Sequence, residues 1–553
     1  MSSKYIIVVG GVYSGSGKGV STASIGLLLK MRDLKVVPVK FDPYLNINAG
    51  ILSPREHGEV FLCDDGSETD LDLGTYERIM GVEVSSANIL TSGQVYEELL
   101  AEQKEGKYLG QTVQCVPHVT DKIQARLRKM GEGNDCVIVE IGGTVGDLES
   151  GPFLEAIRQF KQDNFDDVII IHVAPILWIP TLKEFKTKPL QQSVKTLQSF
   201  GLTPDIILCR CPSDRELPTK LLDKVANLTG VRRKAIFAAP DVKTLYHVPL
   251  EFYNRDVDDM IIDRFRFGRN GINVKKHKEL VEKMVAPGLP IVEVGVLAKY
   301  IENADEAYLS LKEALIHSAA AINAKVNIHW ISAEDVENCK RGVGKFFDNL
   351  HALIVPGGFD SRGVEGKIRG AKWAREHKLP FLGICLGLQC AVIEFARNIL
   401  SIEANSTEFD PNTSGPVVHF IAGQESLTEK SANMRLGAYD CELVKESLAY
   451  ELYRKKLISE RHRHRYEVNS IYVEEMAGKG FRVTGKNPQT GLIEIMELDR
   501  SIHPFYIGTQ AHPEFRSRLM SPAPLFAGLM EAGFALMQSK IVMVFNETEK
   551  AGI

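Results

Sequence analysis

YIIVVGGVYSGSGKG, residues 5–19, is the stretch whose reading decides the fold of the first half of the chain. Tyr5–Val9 is an apolar, β-branched run; Gly10–Gly19 is glycine-rich, and Ser21 and Thr22 open a helical pattern. A strand that feeds a glycine-rich turn and then a helix gathers backbone N–H groups around an anion at the positive end of the helix dipole. Gly15, Gly17 and Gly19 allow close backbone approach, and Lys18 can reach terminal phosphates. The string departs from the usual phosphate loop at two places: Val12 stands five positions before Gly17 where a glycine is usual, and Gly19 follows Lys18 in place of Ser or Thr.

Outward from this turn, β-branched runs recur at Val36–Val39, Cys136–Val139, Val168–Val173 and Ile206–Leu208, separated by helical patterns. That alternation predicts βα units and a mostly parallel sheet. The pattern fades across Arg264–Pro290 and restarts at Ile291–Tyr300, with a helix near Asp305–Ala321 and further runs at ALIVPGG and PFLGIC. The expected organisation is an N-terminal domain over 1–268, a linker over 269–290, a second α/β domain over 291–545 and a polar, frayed tail over 546–553. A chain of 553 residues fits two or three domains. The net charge of −5 gives no support to general nucleic-acid binding, and RHRHR (Arg461–Arg465) is too short, and too poor in aromatics, to change that. Nine scattered cysteines without framework spacing fit a reduced, cytoplasmic compartment. The longest apolar run, Val168–Ile179, is interrupted by His172 and Pro175 and falls short of the ~20 residues of a membrane span.

In the second half, Gly383-Ile384-Cys385-Leu386-Gly387 has the form of a sharp strand-to-helix turn around a nucleophile. The helix that follows lowers the thiol pKa through its N-terminal dipole. His512 and Glu514, in AHPEF, supply a base and the carboxylate that orients it, in the chain order of an amide-cleaving triad. The Leu386 N–H and a backbone N–H of PGGF (Pro356–Phe359), that of Gly358, would form the oxyanion hole. Near the first turn, KFDPYLN brings Lys40 to the same sheet edge. Asp72 and Glu140 are candidate ligands of Mg²⁺, which takes few carboxylates alongside phosphates and waters.

The stretches KFDPYLN, SPREHGEVF, ETDLDLGTYER, GKYLGQTVQCVPH, VEIGGTVGDLES, KTKP, PGGF, GICLGLQ, NSTEF, MRLGA and ERHRHRYEVN together resemble the CTP synthase family over nearly the whole chain. The resemblance implies a dethiobiotin-synthetase-like P-loop α/β domain joined to a class I glutamine amidotransferase α/β domain. It implies ATP-dependent amination of UTP to CTP through a 4-phosphorylated UTP, with ammonia from glutamine delivered by an internal tunnel. On matching positions, Lys18 and Lys40 would be catalytic, and Gly15, Ser16, Gly17, Gly19, Val20 and Asp72 would surround ATP, with Asp241 and Val242 near adenine. Ser14, Lys224 and the segment Lys186, Thr187, Lys188, Pro189, Leu190 and Gln191 would hold UTP; Asp147, Leu148 and Glu149 would read CTP as a feedback inhibitor. Gly358, Leu386, Gly387, Leu388, Gln389, Glu408 and Arg465 would hold glutamine, and Pro54, His57 and Val60 would line the tunnel. The family also implies GTP as allosteric activator and a homotetramer.

Six positions depart from the family pattern: Asp360 and Ser361 after PGGF, Ala298, Leu190, Pro240 and Ala511. They bear on the glutaminase lid, on GTP activation and on UTP and adenine contacts. None replaces a proposed catalytic residue. Two other readings are a different glutamine-dependent ATP ligase of the cobyrinate-amidase type and a nucleotide switch carrying an inactive glutaminase. KTKP and ERHRHRYEVN speak against the first, and the intact Cys385, His512 and Glu514 against the second.

Overall fold

The computed structural model describes residues 2–50, 52, 57–268, 270–359, 361–421 and 434–550, with side chains to 542 in the last helix. Two compact units result, one of residues 1–49 and 72–285, the other of 50–71 and 286–553. The sequence reading kept 50–71 inside a continuous first domain; here that segment counts with the second unit.

In the first unit seven strands form one sheet in the order Ile236–Pro240, Ile206–Cys211, Val168–Pro175, Lys4–Gly10, Cys136–Ile141, Val36–Asp42, Ile89–Thr91. Every pairing is parallel. Strands of this kind are covered by helices on both faces, which explains why they read as continuous apolar runs. Ile6, Ile7, Val8, Val137, Ile138, Ile169 and Ile170 are wholly buried. Each such side chain contributes about 1.5–3 kcal/mol. The helix Lys18–Lys30 is buried from Ser21 to Leu29, as a helix inside an α/β layer should be. The carboxyl ends of the central strands therefore meet the glycine turn at one edge, where open α/β sheets bind ligands.

The second unit has a nine-stranded sheet. Five strands, Lys325–Ser332, Ile291–Ala298, Ala352–Val355, Phe381–Ile384 and Tyr506–Thr509, are parallel. Four antiparallel strands, Ile493–Leu498, Phe481–Lys486, Arg435–Leu443 and Leu457–His464, extend it. The segment 50–71 is fastened to this unit by charge. Glu59 accepts from the Ser310 N–H at 3.0 Å, Asp64 from Arg461 at 2.5 Å and Arg516 at 2.8 Å, and Glu68 from Arg463 at 2.7 Å.

Two further stretches differ from their expected form. The linker 269–290 contains the helix Lys275–Val285, whose charged surface hides the buried His277 and Val281. The tail 546–553 is helical to Lys550, as the closing helix Pro524–Lys550 continues through Glu and Lys, both good helix formers. Within it, Pro524–Val542 has the length and mean hydropathy, 1.2, of a bilayer span. Leu525, Phe526, Leu529 and Met530 pack in one apolar cluster with Val292 and Val294, so the first turns of this helix belong to the core of the unit. All nine cysteines are free.

Candidate active sites

The first site is built at the carboxyl edge of the parallel sheet. Gly15 and Gly17 have φ of 72° and 90°, and Val12 has φ of 83°. The position where a glycine is usual thus keeps a left-handed backbone with a β-branched residue in it, a strained conformation that the surrounding loop has to hold. Lys18 is 7% exposed and donates to the Gly143 carbonyl at 2.8 Å. Burial pushes its ammonium pKa down, Lys40 adds to that, and Glu140 opposes it. The buried hydroxyls of Ser16 and Thr22 have no hydrogen-bond partner among the described residues, and Ser16 lies in the loop itself.

Lys40 and Glu140 are register partners on adjacent parallel strands. The Lys40 ammonium donates to Glu140 at 3.0 Å and to Asp72. Tyr76 donates to the other Glu140 oxygen. Burial works against the Lys40 charge, but Asp72, Glu140 and Asp42 overcome it and hold the pKa well above its ordinary value. Burial, with Asp72 beside it, raises that of Glu140. A Cβ on Gly19 would meet Asp72 Oδ1 at 2.5 Å and Glu140 Oε2 at 3.3 Å, so the two carboxylates lie directly against the start of the loop helix. No group of three or more His, Cys, Asp or Glu among the described residues is arranged to cage a metal. Two hard oxygen donors beside a phosphate loop suit Mg²⁺, which completes its shell with phosphates and water. Lys40→Met leaves these carboxylates without their cation and is expected to destabilise the first unit by about 3–5 kcal/mol, read as a lower denaturation midpoint.

Asp241 and Val242 line a cavity of about 920 Å³ beyond the last strand of the sheet. Asp241 accepts from Arg210 at 2.5 Å, and Arg210 Nε lies 3.4 Å from where a Gly17 Cβ would be. That guanidinium links the cavity to the phosphate loop, and the sequence reading missed it. Of the residues assigned to UTP and CTP, Ser14, Asp147, Leu148, Glu149, Lys188 and Lys224 are exposed. Thr187 is buried and accepts from Gln191 at 2.7 Å. The Leu190 side chain is 0% exposed, which leaves its backbone to meet any ligand.

The second site forms around Cys385, between the strand Phe381–Ile384 and the helix Leu386–Asn398. Cys385 has φ 53° and ψ −105°, a strained turn for a non-glycine residue. A Cβ on Gly383 would lie 2.7 Å from the Gly387 backbone carbon, and one on Gly387 would lie 1.9 Å from the Val355 oxygen, so both flanks must be glycine. His512 Nδ1 and Glu514 Oε1 are 2.8 Å apart, and His512 lines the same cavity as Cys385. Burial opposes a charge on His512, yet Glu514 and the Cys385 sulfur carry its pKa up to about 10. Gln510, absent from the sequence reading, donates to the sulfur at 3.6 Å. Gly358, Cys385, His512 and Glu514 share a cavity of about 110 Å³ with Val60. His57 is exposed and is not part of its lining, and Pro54 lies outside the described residues. Gln389 donates to the Tyr466 carbonyl at 3.1 Å, Arg465 immediately precedes Tyr466 in the chain, and burial first, then Glu408, raises the Tyr466 pKa while Arg465 lowers it.

Because the folded pKa of His512 is raised, its protonation stabilises the fold fully below about 6.5, and this is lost as pH rises through about 10. The imidazole is therefore held protonated across neutral pH. Glu514→Gln removes the largest cause holding that proton and leaves burial to act. Glutamine hydrolysis is then expected to fall about 10²-fold at pH 8 and to decline with rising pH from near neutrality, where the parent stays level until about 10. A pH–rate profile of both proteins checks this.

A parallel α/β unit with a glycine-rich strand–turn–helix, joined to an α/β unit with a cysteine elbow beside a His–Glu pair, points to the class of ligases that take nitrogen from an amide. Residues 4–267 match the family model "CTP synthase N-terminus", and residues 304–532 match "Glutamine amidotransferase class-I". A CTP synthase of Methanococcus maripaludis is 46% identical over 96% of this chain and 99% of its own. One of Caldanaerobacter subterraneus subsp. tengcongensis is 46% identical over 96% of this chain and 98% of its own. A solved Trypanosoma brucei CTPS glutaminase domain with bound acivicin is 32% identical, covers 44% of this chain and 94% of its own, and has a TM-score of 0.41. The chain belongs to the CTP synthase family and is a glutamine-hydrolysing ligase.

Proposed function

We propose that this chain aminates UTP to CTP in two half-reactions, phosphorylating the uracil 4-oxygen with ATP in the first unit and releasing ammonia from glutamine in the second. The observation that carries the reading is the strained Cys385 elbow, with His512 and its partner Glu514 lining the same cavity. In the second unit the Cys385 thiolate attacks the glutamine carboxamide carbon. The Leu386 and Gly358 N–H groups hold the oxyanion, and His512 gives its proton to the departing ammonia. Water then cleaves the thioester to glutamate.

In the first unit Lys18 and Lys40 offset phosphate charge during transfer, and Asp72 with Glu140 would hold Mg²⁺. When bound, Mg²⁺ neutralises phosphate oxygens. Asp241 and Val242, with the large cavity around them, support adenine binding beside the loop. Ammonia that reached bulk water would be protonated to ammonium, which is no nucleophile, so an enclosed path is part of the proposal; Val60, in the Cys385 cavity, supports it. Regulation by CTP and GTP, a homotetramer and a cytoplasmic location complete the reading. Leu148, 89% exposed between the exposed Asp147 and Glu149, supports a neighbouring subunit there.

The test follows the absorbance change of UTP-to-CTP conversion with ATP and Mg²⁺, comparing glutamine with ammonium chloride. CTP from both sources is the expected result. CTP from neither, with the protein folded and binding ATP, overturns the proposal.

A further inference from the structure

The loop Pro356–Phe359 leaves the strand Ala352–Val355 and passes beside the nucleophile: a Cβ on Gly357 would lie 2.9 Å from His512 Cε1 and 3.6 Å from Cys385 Cβ. A Gly–Gly peptide is the one most free to turn over, because neither residue penalises positive φ. Something must therefore choose which way its N–H points.

Lys367 stands on the helix Val364–His377 and is 0% exposed. Its ammonium donates to the Pro356 carbonyl at 2.6 Å and to the Gly357 carbonyl at 3.3 Å. Lys299 holds the Phe359 carbonyl at 2.7 Å. Pro356, Gly357 and Gly358 line the cavity that contains Cys385 and His512; Lys367 does not. Burying an ammonium costs several kcal/mol unless it is fully hydrogen-bonded, so packing alone does not account for a lysine here. A trans peptide points its N–H opposite to its C=O. With two successive carbonyls drawn to one ammonium, the Gly357 and Gly358 N–H groups turn together to the other side, and such a pair forms an anion-binding concavity.

We propose that Lys367 is a positioning residue of the glutaminase: by holding the Pro356 and Gly357 carbonyls, it fixes the following N–H groups toward the thiol and so preforms the oxyanion pocket. The proposal rests on reading Cys385, His512 and Glu514 as a glutaminase. It predicts a loss in the chemical step with little loss of glutamine binding.

The experiment measures kcat and KM for glutamine hydrolysis, with ammonia-dependent CTP formation as the control for folding, in the full chain and in Lys367→Met and Lys367→Gln. Lys367→Met is expected to lower kcat about 10²-fold or more, with KM changed less than about threefold and ammonia-dependent synthesis retained. Lys367→Gln, which keeps a donor, is expected to lose less. A folded Lys367→Met with kcat within about threefold of the parent overturns the proposal, as does a loss carried by KM alone. If Lys367→Met does not fold, Lys367→Gln decides: about a tenfold fall in kcat at constant KM supports the proposal, and an unchanged kcat or a raised KM alone sinks it. A parent chain that makes CTP from ammonia but hydrolyses no glutamine would refute the glutaminase reading itself.

Discussion

Cys385→Ala is expected to abolish glutamine-dependent CTP formation, by about 10⁴-fold or more, and to leave ammonia-dependent formation within about twofold of the parent. The thiol is the group that bonds to the carboxamide carbon, and no neighbour can replace it. Gln510 and the Arg463 carbonyl, which flank the sulfur, carry no nucleophile. The substitution keeps the Cβ, so the strained φ of 53° is unchanged and the loss is that of the sulfur alone. The two nitrogen sources, assayed side by side, give the number directly. Equal loss with both sources would place Cys385 in the fold and not in the chemistry. Unchanged glutamine use would move the nucleophile elsewhere.

The second large effect is the reverse. Lys18→Met is expected to lower CTP formation about 10³-fold with either nitrogen source, while glutamine hydrolysis by the second unit persists. Burial and the nearby Lys40 already lower the Lys18 pKa, so this ammonium gains most when an anion arrives beside it. Without ligand it donates to the Gly143 carbonyl, a neutral acceptor that a phosphate oxygen can displace. Methionine keeps much of the length and fills the same space over Gly10, so a folding defect is not expected to imitate the effect. Measured ATP affinity should fall together with turnover. A variant that loses glutamine hydrolysis equally would contradict the division of labour between the units.

The parts of both sites that could be read in advance are those whose geometry is set by a few adjacent residues. The strand–turn–helix around Lys18 and the glycine-flanked elbow at Cys385 are of this kind, since spacing alone dictates the backbone. Even the mismatch at Val12 was visible; that its φ would stay at 83° was not, because strain is maintained by neighbours that no local pattern records. What escaped reading depends on partners far along the chain. Lys367 sits in a charged helix, GVEGKIRGAKWAREH, where a lysine ordinarily faces solvent, and no local pattern announces the distant loop carbonyls it donates to. Arg210 and Gln510 carry no motif of their own. The linker helix was hidden because its apolar face is narrow, His277 and Val281 alone being buried in it.

Segment 50–71 has a consequence for how such a protein can be made and divided. Asp64 and its partner Arg461 are 397 positions apart, and Glu68 and Arg463 are 395 apart. A ribosome finishes the acidic half of these pairs long before the arginine strand exists, so segment 50–71 cannot make them until most of the chain has been synthesised. A gene split at the covalent linker would give a fragment whose wholly buried Arg461 has lost the Asp64 carboxylate. The heritable boundary between the two activities is thus not the one drawn by the linker, and any natural or engineered two-chain version would have to carry about twenty early residues across with the later half.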